Sequence, residues 1–286
     1  MRSTEGKICD ENHAMLTETQ TFHIEPIRIG GQELRVGRSA GSGDHPPLLM
    51  FNGIGANIEL LEPLAQALPE REVITFDVPG VGGSPLPSLP YRPRHIARLA
   101  QGLLDHFRHD QADVLGVSWG GAMAQQFACT ASSHCRKLIL CATATGSVMV
   151  PAKLDVLWKM ATPRRYIDRD YARTVSGDIY GGDCREGPQV LAGHFEQAKK
   201  FNSRQGYYLQ LLAGAGWTSI HWLPFLKQPT LIMAGDDDPL IPLINARLMR
   251  SLIPNSELQV FDCGHMFLLT RRDASVAAIR EFLDRP

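Results

Sequence analysis

Short apolar runs alternate with longer stretches of helical spacing along most of the chain. Residues 22–29 and 33–37 alternate apolar and polar positions around Gly30-Gly31, which predicts a hairpin. The runs at 48–51, 72–77, 112–115, 137–141, 230–234 and 258–261 are brief and rich in Val, Ile and Leu, as buried strands are. Between them, 58–68, 94–107, 121–128 and 274–283 place apolar residues at helical spacing. Strands alternating with helices predict an α/β fold, a mainly parallel central sheet with helices on both faces. Ligands of such sheets sit at the carboxyl ends of the strands.

The rhythm breaks over residues 146–225. That stretch gathers Trp158, Trp217 and Trp222 with several Tyr and Met residues, and carries the basic pairs Arg164-Arg165 and Lys199-Lys200. It reads as a mostly helical insertion forming a lid between two halves of a core, 21–145 and 226–286. A lid over a water-poor site would explain its aromatic content.

Composition narrows the partners. At 286 residues with 44% hydrophobic content, the chain can bury one sizeable core plus an insertion. A formal net charge of −1 gives no reason to expect nucleic acid. No apolar run approaches the roughly 18 residues that span a bilayer. Residues 1–20 are polar, mixed in charge and lack a hydrophobic signal core, so they read as a flexible leader. The six cysteines form no C-x-x-C pair and no zinc-type spacing, so reduced thiols and no metal are expected. Cys263, close to His265, reads as a small packing residue.

Gly116-Val117-Ser118-Trp119-Gly120 is a G-x-S-x-G pentapeptide between an apolar strand and a helical run. That is the setting of a nucleophile elbow, in which a sharp turn projects the serine at the mouth of the sheet. A serine hydroxyl needs a base, usually histidine. Of ten histidines, His265 in Asp262-Cys263-Gly264-His265 follows the last strand, where a loop can reach the elbow; His194 and His221 are weaker rivals. The imidazole needs a carboxylate to fix its tautomer. Three acids follow the strand at 230–234, and Asp238 is preferred from Gly235-x-x-Asp238 with Pro242 four residues on. Asp236 is the runner-up, and Asp237 is expected to be solvated. The order Ser, acid, His is that of the α/β-hydrolase arrangement.

Acyl transfer also needs donors for the oxyanion. The backbone N–H of Trp119 is one, and Ile54 in Phe51-Asn52-Gly53-Ile54-Gly55 supplies the other, with Asn52 and Gly53 supporting that loop. The glycine-rich run 77–84 lacks the phosphate-loop ending and reads as a structural turn. No cofactor motif is present. Trp158, Trp217, Trp222 and Met266 are the candidate substrate contacts.

These motifs resemble those of the α/β-hydrolase superfamily. More closely, 51–57, 76–84, 116–121, 216–223 and 234–242 resemble intracellular poly(3-hydroxyalkanoate) depolymerases acting on medium-chain-length polymer. The likeness runs from about residue 47 to the C-terminus, and 217–223 is its most specific part because generic hydrolases vary most there. Cys263 and Met266 look like substitutions within the pattern. The resemblance implies an α/β-hydrolase fold and ester hydrolysis in a storage polyester of (R)-3-hydroxy acids. It also implies a cytoplasmic place at the granule surface. The alternatives are a small-molecule carboxylesterase, thioesterase or acyltransferase on the same scaffold, and a non-catalytic granule-binding protein.

Overall fold

The computed structural model describes residues 22–187 and 203–286. The expected leader, His194 and Lys199-Lys200 lie outside the described residues.

Eight strands form one sheet: β1 (His23–Ile29), β2 (Gln32–Ser39), β3 (Leu48–Phe51), β4 (Val73–Phe76), β5 (Ala112–Val117), β6 (Cys135–Cys141), β7 (Thr230–Gly235) and β8 (Ser256–Phe261). Their order is β1-β2-β4-β3-β5-β6-β7-β8. β2 runs antiparallel to both its neighbours, and every pair from β4 to β8 is parallel. The hairpin turns at Gly30-Gly31 as expected, with Ile29 opposite Gln32.

Every residue of β3, β4 and β7 is buried. Successive side chains of a strand point to opposite faces, so a run apolar at every position needs cover on both sides. Leu49, Val114, Leu138, Leu140 and Ile232 pack on one face with Ile96, Ala100, Met123 and Phe127. Leu48, Met50, Leu115, Ile139 and Met233 pack on the other with Leu64, Val276, Ile279 and Phe282. The helices supplying this cover are α1 (Glu62–Gln66), α2 (Pro93–His106) and α3 (Trp119–Thr130). At the C-terminal end, α8 (Ile244–Leu252), α9 (Phe267–Thr270) and α10 (Arg272–Asp284) complete it.

One expectation is corrected. The single helix over 58–68 is a 3-10 turn, Ile58–Leu60, followed by the five-residue α1. Pro63 has no N–H to donate, which suits a helix start and prevents continuation through it. Helix α8, which crosses from β7 to β8, was not expected from the sequence. It buries Ala246 and Met249 and turns Arg247 and Arg250 outward.

Between β6 and β7 lie α4 (Leu154–Met160), α5 (Arg164–Ile167), α6 (Arg169–Tyr180) and α7 (Arg204–Gly214). The two ends of this segment are joined at its root. Gly146 and Thr218 form an isolated bridge. Ser147 N–H donates to Trp217 O (2.7 Å) and Ser219 N–H to Thr145 O (3.0 Å).

The glycine-rich turn after β4 is structural, as the sequence suggested. Buried Asp77 accepts the N–H groups of Ile58 and Gly83, each at 2.9 Å, and pairs with Arg35 at 2.9 Å. Burial pushes its carboxyl upward, and the bonds from Gly83 and Arg35 oppose that shift.

Candidate active site

Ser118 stands between β5 and α3 with φ 54° and ψ −118°. A β-carbon is crowded in that region, so the conformation is strained and must be held from outside. Ser118 N–H donates to Cys141 O (2.8 Å), and Thr143 Oγ1 donates to Ser118 O (2.7 Å). The flanking glycines are required by close approach. A Cβ at 116 would collide with Gly120 O, and one at 120 with Phe51 O. Ser118 is also the N-cap of α3, whose dipole favours negative charge there.

The loop after β8 brings in His265, and the loop after β7 brings in Asp238. Both are buried, and His265 Nδ1 lies 2.7 Å from Asp238 Oδ2. A proton on Nδ1 donated to the carboxylate leaves Nε2 with a lone pair, the form a general base needs. Asp238 is itself held, because Oδ1 accepts Leu240 N–H (2.9 Å) and Ile241 N–H (2.8 Å).

The other two acids are engaged elsewhere. Asp236 Oδ1 accepts Cys263 N–H at 3.1 Å. Asp237 Oδ2 accepts Gly182 N–H (2.8 Å) and pairs with Arg185 (2.7 Å). Asp237 is therefore half-exposed but bonded, where simple solvation was expected. Cys263 is buried, its Sγ 2.9 Å from Thr270 Oγ1, in keeping with packing. His221 is exposed and lies edge-on to Trp222, outside the cavity lining.

The loop after β3 is braced as its asparagine suggested. Asn52 Oδ1 accepts Gly53 N–H (2.8 Å) and Nδ2 donates to Asn57 O (2.6 Å). The insertion grips the same loop. Tyr166 donates its hydroxyl to Ile54 O (2.7 Å), and Gly55 N–H donates to Gln210 Oε1 (2.8 Å). Gln210 O accepts Trp119 Nε1–H at 3.0 Å. One buried residue of α7, through its side-chain amide and its main-chain carbonyl, thus ties together the two segments proposed to cradle the oxyanion.

Ser118, His265, Asn52, Gly53, Ile54 and Met266 all line one cavity. Leu60, Leu64, Met160, Leu240 and Leu269 make it chiefly apolar. Of the four candidate substrate contacts, Met266 is in this lining, while Trp158, Trp217 and Trp222 are not. Trp217 donates Nε1–H to Gln126 (2.8 Å) and packs edge-on against Trp222, so this pair ties the root of the insertion to α3. Trp158 is 76% exposed on the outer face of α4. Large aromatics were expected at the substrate, and two of them pack at the root of the insertion instead.

Several site residues were not legible locally. Tyr180 accepts His265 N–H on its carbonyl (2.7 Å), and its ring stacks on the imidazole with centroids 6.0 Å apart. The two residues after it wedge between the acid and histidine loops. A Cβ at Gly181 would strike Asp237 O, and one at Gly182 would strike Gly264 N. Gly181-Gly182, just past a helix with positive φ at both, is the sequence signal that marks this join. Arg165 also lines the cavity, whereas its neighbour Arg164 is exposed and paired with Asp168. A doubled arginine gives no hint which one faces inward. Burial pushes the Tyr180 and Tyr207 hydroxyls above their usual range against the pull of Arg165, so both stay protonated.

A strained serine at a strand-to-helix turn, a His–Asp pair after the last two strands and a largely parallel sheet define a class. The chain belongs to the α/β-hydrolase fold family, whose model matches residues 46–271. Within it, the chain is 49% identical over 267 residues to the poly(3-hydroxyalkanoate) depolymerase of Ectopseudomonas oleovorans, covering 93% of this chain and 94% of that one. It therefore belongs to the same family as that depolymerase. A more distant relative is the 2-hydroxymuconate semialdehyde hydrolase of Pseudomonas sp. (strain CF600), 28% identical over 85% of this chain and 88% of that protein. Among solved structures, the enol-lactonase of Burkholderia xenovorans LB400 superposes with a TM-score of 0.79 at 21% identity, over 91% of this chain and 100% of that one. That likeness speaks for the fold alone. Among the described residues no helix is long and apolar enough to cross a membrane.

Proposed function

We propose that this chain is a serine hydrolase that cleaves the ester bonds of medium-chain-length poly(3-hydroxyalkanoate) to 3-hydroxy acids or oligomers. The observation that carries the chemistry is the 2.7 Å His265–Asp238 pair lining up behind the same apolar cavity that Ser118 enters. The kinship with a named depolymerase supports the choice of polymer.

In this reading Ser118 Oγ attacks the ester carbonyl while His265 Nε2 takes its proton. Asp238 steadies the imidazolium. The N–H groups of Trp119 and Ile54 hold the oxyanion, with Asn52 and Gln210 fixing their geometry. The ester C–O bond breaks, the departing hydroxyl takes the proton from His265, and water delivered by the same base releases the acyl group. Residues 21–145 and 226–286 act as the core, and 146–225 as a cap over the cavity.

The protein works in the cytoplasm at the surface of storage granules. Leu154, Leu157 and Trp158, exposed together on α4, supply an apolar face for the polymer. The test is incubation with purified medium-chain-length granules, followed by product analysis and sedimentation. Release of 3-hydroxy acids supports the reading, and granule pelleting that falls severalfold in a Leu157→Ser, Trp158→Ser variant supports the docking face. Intact granules beside ready cleavage of small p-nitrophenyl or acyl-CoA esters would instead assign a small-molecule esterase or thioesterase.

A further inference from the structure

Arg165 is 2% exposed, yet it lines the cavity that holds Ser118 and His265. Its Nε donates to Tyr180 Oη (3.1 Å), and its Nη1 donates to Tyr207 Oη (2.8 Å) and, weakly, to Thr162 O (3.4 Å). The guanidinium also lies over the rings of Tyr166 (4.5 Å) and Tyr207 (5.3 Å). These bonds use Nε and Nη1, and Nη2 takes part in none of them. Among the described residues no carboxylate pairs with Arg165.

A guanidinium stays charged in any protein environment. Burying it without a counter-charge is costly, and aromatic faces and neutral hydroxyls return only part of that cost. The other buried arginine among the described residues does have a carboxylate, since Arg71 lies 3.5 Å from Asp113, and the partly buried Arg35 is 2.9 Å from Asp77. The cavity wall is equally one-sided. Among the described lining residues the fixed charges are Arg165 and Arg272, both positive, and Arg272 at the half-exposed rim has Asp273 beside it (3.5 Å). No carboxylate is among the lining residues described. An apolar cavity with one buried cation that meets no carboxylate among the described residues focuses its field on an incoming anion.

We propose that Arg165 is a specificity-determining residue that binds a carboxylate of the substrate, so that the enzyme cuts next to the free acid end of a hydroxyacyl chain. This inference rests on the ester-hydrolase reading of Ser118. The chain end of such a polyester is a 3-hydroxy acid whose hydroxyl oxygen is esterified and whose carboxylate is two carbons further on. With that carboxylate on Arg165, Ser118 attacks the adjoining ester carbonyl. The bond from that carbonyl carbon to the terminal unit's oxygen breaks, and the unit leaves as a hydroxy acid with the proton returned by His265. Water then frees the shortened chain, whose new end is again a carboxylate. Tyr180 and Tyr207 fix the angle of the guanidinium, and arginine's planar fork suits the two oxygens of the acid.

The experiment uses a dimer of 3-hydroxyoctanoic acid in two forms, the free acid and the terminal primary amide, with internal ester cleavage followed by chromatography. In the wild type kcat/KM for the acid is expected to exceed that for the amide by at least about tenfold. In Arg165→Met the ratio falls close to one, and in Arg165→Lys it is intermediate. Free 3-hydroxyoctanoate is expected to inhibit the wild type competitively, with Arg165→Met much less sensitive. A wild-type ratio of one or below overturns the proposal, and this comparison decides the matter even if Arg165→Met fails to fold. Granules left intact beside a strong preference for the acid dimer would sink the polymer reading and leave the carboxylate subsite standing. Granules degraded with no such preference would do the reverse.

Discussion

Alanine at position 118 is expected to lower ester turnover by roughly 10⁴- to 10⁶-fold, the range seen when a triad nucleophile is removed. The fold should survive. The hydrogen bonds that hold this residue in its left-handed conformation run through its backbone, to Cys141 O and from Thr143 Oγ1. An alanine can occupy the same φ of 54° at the same strain as serine. Circular dichroism and the melting midpoint should therefore match the wild type, while kcat on p-nitrophenyl octanoate disappears into background. Labelling by a serine-directed phosphonate should be lost in parallel. Turnover within a few-fold of wild type would remove Ser118 from the chemistry.

The second large effect separates neighbouring carboxylates. Asp238→Asn is expected to cost about 10³- to 10⁴-fold in kcat. Asp238 Oδ1 already accepts two backbone N–H groups, and Oδ2 faces His265 Nδ1. An amide has one oxygen. If that oxygen stays with the backbone donors, the amide NH₂ meets Nδ1, which must then be unprotonated, and the base loses its lone pair at Nε2. If it turns to the ring, two N–H donors face an NH₂ group. Asp236→Asn has no such conflict, since one oxygen suffices for Cys263 N–H, and its kcat should stay within about tenfold of wild type. Parallel kinetics on both variants checks this, and a worse defect in Asp236→Asn would transfer the role to Asp236.

What was readable beforehand follows from the range of the forces involved. The elbow depends on glycines within two residues of Ser118, and the braced loop on Asn52 and its immediate neighbours, so both are written locally. The central strands β3, β4 and β7 are legible because they are buried at every position and the hairpin because it alternates, whereas the helical spacing over 58–68 overstates α1 because Pro63 interrupts it. Helix α8 is hard to read from the sequence because its buried stripe is short, Asn245, Ala246 and Met249. The cavity wall contributed by the insertion was the least legible part. Arg165, Tyr166, Tyr180 and Gln210 reach the site from three different helices, and each looks ordinary among its neighbours. A large ring packs between elements as readily as it binds a substrate, and the half-buried Trp217 and Trp222 do the former at the root of the insertion.

Backbone meets backbone where Gly181, Gly182 and Gly264 touch, with no room for even a methyl group. Those contacts make the two loops and the end of α6 a single inherited part. An engineer who transplants the segment between β6 and β7 from another hydrolase, bringing any larger residue to 181 or 182, would shift the imidazole off its aspartate. Useful chimeras must exchange all three pieces together, and changes of substrate range are better sought upstream, in α4 and α5.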